Sequence, residues 1–279
     1  MKRGITLGIL LTAIAVVPTA LAQEEEADDA QGAASRPAQA DVTEGGGAPA
    51  AAGGDAAAAG TEESLPPISE AETILWLGDQ LKGIAEPSTL KYEFKKAGSL
   101  EEGFTDRVHL HITELLPEGM KKATVDFFSG QRRLAIPPYE AINGNVLLAI
   151  FLQGDVLEMK RLTEGGSRYF QQRIKYALAT NARIADTEIE FDGRKLPAKR
   201  ITITPYENDP KAELNERFRK LKDKAYTFTV SEQLPGYFYE IHTLVPAPAD
   251  SAPGAEPVLE EYLRLTSVGP LELTSAASQ

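Results

Sequence analysis

The 279-residue chain contains no cysteine. It can therefore form no disulfide, has no Cys pair for a metal, and lacks the thiol to which a bacterial lipid anchor is attached. Histidine is almost as scarce, at three residues. The sequence has no G-x-S-x-G elbow, no H-E-x-x-H helix and no phosphate-binding P-loop, so the common hydrolase and nucleotide signatures are missing. Apart from the extreme N-terminus, no apolar run approaches the roughly 20 residues of a spanning helix. The net charge of −12 is acidic, and nucleic acid is not expected as a partner. No cofactor is expected either.

The first of the features that are present is at the N-terminus. Lys2 and Arg3 precede an apolar run from Ile5 to Val17, followed by Pro18 and the small-residue site Ala20-Leu21-Ala22. This is the pattern of a secretory signal peptide, which predicts cleavage after Ala22 and a periplasmic or secreted product without a transmembrane span. Residues 23–65 hold ten acidic residues and one basic one, Arg36, and almost no large apolar side chains. Such a segment cannot offset its chain entropy by burial and reads as a disordered acidic spacer. Its glycines (GGGAPAAAGG) follow no strand and open no amphipathic helix, so they are not a nucleotide loop.

Residues 66–270 are expected to form a single domain, with a frayed tail over 271–279. Ser69-x-x-Glu72 is a capping box, and Ile74, Leu77, Gly78, Leu81 and Ile84 would share one face of the helix that follows. LKYEFKKAG, DRVHLHITEL and MKKATVDFFSG alternate as half-buried strands. From about Asn145, Leu148, Phe151, Leu152, Val156, Met159 and Leu162 make one helical stripe, stopped at Gly165-Gly166. Ser167 is placed to cap a second helix with Phe170, Ile174, Ala177 and Leu178 on its apolar face. TEIEF and AKRITITP follow around Asp192-Gly193, and then a short helix starts at Asp209-Pro210 with Leu214, Phe218 and Leu221 as its stripe. AYTFTV, YFYEIHTLV and VLEEYLRLTSV complete the pattern.

The expected fold class is thus α+β: a curved, mostly antiparallel sheet of about eight strands, a half-barrel, covered by the N-terminal helix and the helix-GG-helix pair. This order of elements over residues 69–268 resembles the half-barrel with a helical lid of the periplasmic lipoprotein carriers of the LolA and LolB kind. The resemblance implies a lipid-accepting cavity between sheet and helices and carries over no individual residue. It makes the expected function noncatalytic binding of an apolar small molecule, lipid or lipoprotein. The alternatives are an envelope adaptor whose interior is a closed core and whose partner is an envelope protein, and a metal-dependent hydrolase.

The candidate ligand-binding residues are Phe151, Val156, Met159, Tyr169, Phe170, Arg173 and Ile174 on the helix pair. Tyr169, Arg173 and Tyr176 share a flank where rings could hold a guanidinium or an acyl chain. His109-x-His111 places two imidazoles on one strand face, where they could share a metal with His242 as a third ligand. Both histidines would face solvent, opposite Val108, Leu110 and Ile112. The paired carboxylates Glu260-Glu261 and Glu213-Glu216 read as surface.

Overall fold

The computed structural model describes residues 67–272; the expected signal peptide (residues 1–22), the whole of the expected spacer (23–65) and residues 273–279 lie outside the described residues. Nine strands form one sheet: β1 (Ser88–Ala97), β2 (Phe104–Leu115), β3 (Lys121–Phe127), β4 (Tyr139–Ile142), β5 (Arg183–Phe191), β6 (Arg194–Ile203), β7 (Ala225–Val230), β8 (Phe238–Val245) and β9 (Leu259–Pro270). Their spatial order is β4-β3-β2-β1-β9-β8-β7-β6-β5, and every neighbouring pair is antiparallel. Two meanders are therefore joined by the pairing of β1 with β9. Register shifts interrupt β1/β9, β2/β3, β3/β4 and β7/β8, and such irregularities bend and twist strands locally. The strand absent from the sequence reading is β4. It is only four residues long and follows Pro137-Pro138, a composition that suits an edge and hides the alternation.

The helices are α1 (Glu70–Glu72, continuing as a π-helix over Thr73–Leu77), α2 (Leu147–Thr163), α3 (Ser167–Thr180), α4 (Pro210–Leu214) and α5 (Glu216–Arg219). Their buried side chains join those of one sheet face in a single core, with Leu90, Tyr92, Val108 and Leu110 from the sheet meeting Leu148, Val156, Met159, Phe170 and Ile174. Alternation in the strands puts these residues on the covered side. Each fully buried Leu, Ile or Phe contributes about 1.5–3 kcal/mol from removal of its surface from water.

The helical details differ from the sequence expectation in four places. The capping box of α1 is present, with Glu72 N–H donating to Ser69 Oγ at 3.1 Å and Ser69 N–H to Glu72 Oε2 at 2.9 Å. The helix nevertheless ends at Leu77 rather than running to Ile84, because Gly78 is extended (φ −78°, ψ 152°) and Gln80 Nε2 turns back to satisfy Leu75 C=O at 2.7 Å. The π turn also moves Leu75 inward and leaves Leu77 exposed. Next, the left-handed residue that stops α2 is Glu164 (φ 59°, ψ 22°), and neither glycine after it supplies the positive φ. Ser167 is the first residue of α3 and not its cap, and its buried hydroxyl has no hydrogen-bond partner. Finally, the third helical segment is split at Asn215, whose side chain caps α5 through Phe218 N–H at 3.0 Å and leaves Leu214 88% exposed.

Candidate functional site

A cavity of about 250 Å³ lies between α2 and strands β1, β2 and β3. Phe94, Phe104, Phe127, Phe128 and Phe151 supply aromatic walls, with Leu134 and Ile150 beside them. The rings interlock: Phe94 packs edge-on against Phe128 with centroids 4.8 Å apart, and Phe104 against Phe128 at 5.6 Å. Phe128 has φ 67°, a left-handed conformation that a bulky side chain rarely adopts. Backbone strain of that kind is tolerated only where the surroundings enforce it. Gly154 of α2 also lines the cavity, and a Cβ there would meet no atom within 4 Å.

One end of the cavity is charged. Lys96, Asp155, Glu158 and Glu261 line it, and the side-chain oxygens of the three acids lie within 4.8 Å of one another. The origin of this cluster is strand register. Lys96 of β1 sits opposite Glu261 of β9, Glu261 opposite Thr243 of β8, and Thr243 opposite Tyr226 of β7. All four point to the covered face, so a polar row crosses the otherwise apolar sheet directly beneath α2. Helix α2 brings Asp155 and Glu158 down onto this row. Lys224, fully buried, pairs with Asp155, as does Tyr226 Oη at 2.6 Å. Lys96 pairs with Glu158, and at 3.0 Å with Glu101, which Arg161 clamps with two bonds of 2.6 and 2.7 Å.

Burial shapes the protonation of this cluster. It pushes the Glu261 carboxyl up to about 8, an effect that the Lys224 charge opposes and the Glu158 and Asp155 charges reinforce. Burial alone would also raise Glu158, but Lys224 and Lys96 hold it below the ordinary carboxylate value. Lys224 and Lys96 remain cationic: burial disfavours their charge, and the acids around them more than compensate. At neutral pH the Glu261 carboxyl is therefore protonated and placed to donate a hydrogen bond to Glu158 at the charged end of the cavity. Glu261 is thus not a surface residue. Leu259, Glu261, Leu263 and Leu265 alternate on one face of β9, and that spacing was the available signal.

The helix-pair residues separate in the structure. Phe151 lines the cavity. Val156, Met159, Phe170 and Ile174 are each at most 4% exposed in the continuous core. Tyr169 and Arg173 converge on Asp209, the cap of α4: Tyr169 Oη donates to Asp209 Oδ1 at 2.5 Å, and Arg173 Nε lies 2.9 Å from Oδ2. The Arg173 N–H is not aimed along that short contact, which is an ion pair without a well-formed hydrogen bond.

The histidines lie on the opposite face of the sheet. His109 is half-buried, but His111 is only 3% exposed, contrary to the solvated position expected. Thr89 Oγ1 and His111 Nδ1 are 3.0 Å apart, and His111 Nε2 lies 3.2 Å from Asp126 Oδ2. His242 is not with them. It sits on β8, paired with Glu260 at 2.8 Å. The acidic neighbour is Asp126 of β3, directly across from His109.

No known protein-family pattern and no curated protein matches the chain. Among solved structures, a LolA superfamily protein from Nitrosomonas europaea is similar at 9% identity, covering 73% of this chain and 94% of that one, with a TM-score of 0.20. Lipovitellin, in a structure titled for lipid–protein interactions, is similar at 11% identity over 69% of this chain and 26% of that one, with a TM-score of 0.23. This chain thus spans about a quarter of lipovitellin's length. At these TM-scores neither likeness transfers a residue or an activity.

Proposed function

We propose that this is a noncatalytic periplasmic binding protein that takes the apolar body of an amphiphile into the phenylalanine-lined cavity beneath α2. The polar end of the ligand meets Lys96 and the protonated Glu261. The observation that carries this reading is the cavity itself, an aromatic chamber that ends in buried charges rather than in a filled core. Its 250 Å³ sits just below the usual range of ligand cavities, about 300–1,000 Å³, which suits a short acyl chain or part of a longer one. Among the described residues no helix is long and apolar enough to cross a membrane. Periplasmic placement rests on the signal-peptide pattern of residues 1–22.

Gly154 offers a test that separates binding from folding. It lies inside α2 with open space at its Cβ position. Gly154→Leu fills the cavity mouth and at the same time removes a helix-interior glycine, a gain of up to about 1 kcal/mol. The expected outcome is an unchanged or raised Tm with at least about tenfold weaker uptake of a dansyl-labelled fatty acid. If the wild-type protein from a periplasmic extract carries no extractable lipid and takes up no probe, the binding reading fails. The closely packed Val156, Met159, Phe170 and Ile174 would then belong to an adaptor with a closed core.

A further inference from the structure

We propose that His109, His111 and Asp126 form a binding site for one divalent transition-metal ion of the zinc or copper kind on the uncovered face of the sheet. Two adjacent strands build it. His109 and His111 project from the same side of β2, and the β2/β3 register places Asp126 opposite His109. One ligand atom from each of the three residues lies within 4.8 Å of the others. They line a cavity of about 350 Å³, with Arg107, Arg133 and Glu272 at its margin.

The closest pair already has the spacing that a tetrahedral ion requires. Metal–nitrogen and metal–oxygen bonds of about 2.0–2.1 Å at the tetrahedral angle put two ligand atoms about 3.3 Å apart. His111 Nε2 and Asp126 Oδ2 are 3.2 Å apart. An ion can therefore replace the proton between them with little movement of either group.

The surroundings of His111 favour that exchange. Thr89 Oγ1 accepts the Glu272 backbone N–H at 2.8 Å and has a second lone pair for a proton on His111 Nδ1. Holding the proton there presents the Nε2 lone pair to the metal, the usual outer support of a ligating histidine. Arg133 donates to Asp126 Oδ1 at 2.7 Å, and its positive charge opposes a cation. That side chain is 63% exposed, so its charge is screened and it can swing toward solvent. Imidazole ligands suit zinc, copper and nickel, whereas the site lacks the oxygen cage that calcium or magnesium requires.

The test uses untagged full-length protein, stripped with chelator and titrated with zinc chloride by calorimetry, and a parallel copper(II) sample for electron paramagnetic resonance. The expected result is about one zinc per chain, with nitrogen splitting from two imidazoles in the copper spectrum. His109→Ala should weaken zinc by at least about 100-fold and Asp126→Asn by about tenfold. His242→Ala should have no effect. Because His111 is buried, His111→Gln is checked for its Tm, and the half-exposed His109→Ala carries the conclusion if the glutamine variant fails to fold. The proposal is overturned if the wild-type protein binds no zinc more tightly than about 0.1 mM. Equal binding by the His109→Ala variant would overturn it as well, since the ion would then be held by carboxylates elsewhere and His111 and Asp126 would share only a hydrogen bond.

Discussion

At the residue scale, Glu261 should set how stability responds to pH. Its folded-state pKa of about 8 lies above the ordinary 4.5, so between these values the native state binds more protons than the unfolded chain. The Glu261 contribution to stability therefore falls as pH rises from about 5 to 8, by something on the order of a few kcal/mol, and levels off above. Glu158 shifts the other way, so its contribution is lost only in acid, outside that window. Chemical denaturation at stepped pH should show the decline in the wild type and a flatter profile for Glu261→Gln. A second residue-scale test concerns the two adjacent glycines. A Cβ on Gly165 would lie 2.8 Å from the Phe170 ring, whereas one on Gly166 would touch nothing within 4 Å. Gly165→Ala should cost about 1–3 kcal/mol and Gly166→Ala close to nothing, measured by urea unfolding. In the sequence the pair read as the stop of the first long helix. In the structure one glycine makes room for a ring, and the reversal falls to Glu164, a residue type that gives no such signal.

At the scale of elements, α3 and α4 are fastened through Asp209. Its carboxylate caps α4 through Lys211 N–H at 2.9 Å and receives Tyr169 and Arg173 from α3. Asp209→Ala removes the cap and leaves two half-buried partners unmatched, so a loss of about 1–3 kcal/mol is expected in thermal or urea unfolding. Tyr169→Phe, which keeps the cap, should cost about 1 kcal/mol. The cap itself was legible as Asp-Pro, but its reach to a helix some 40 residues earlier was not. The same division holds across the fold. Eight strands and α2 and α3 could be read because period 2 and period 3.6 are local properties. The charged cavity could not, because Lys96, Asp155, Lys224 and Glu261 meet only through strand order and helix placement. Asp126 is an intermediate case. Alternation with Ala123, Val125 and Phe127 assigns it to the histidine face, but its position beside His109 depends on the bulge between Ile112 and Glu114.

At the scale of the whole molecule, the two meanders join through β1 and β9, the first and last strands among the described residues. Ending the chain before β9, at Pro257, should leave β1–β4 and β5–β8 without the strand that joins them. Such a truncation is expected to lose cooperative unfolding and to aggregate, as judged by circular dichroism and gel filtration, whereas ending it at Glu272 should not. The outer margins of the sheet carry their own protection: β4 is very short and β5 bears Asp186, Glu188 and Glu190. The seam has none while the chain is incomplete. Ribosomes add about 5–20 residues per second, so the roughly 160 residues between β1 and β9 take about 8–30 seconds to appear. During that interval β1 is a newly made strand with one unsatisfied flank and an apolar face. The nascent polypeptide therefore stays open to capture by holding chaperones until its last strand is made.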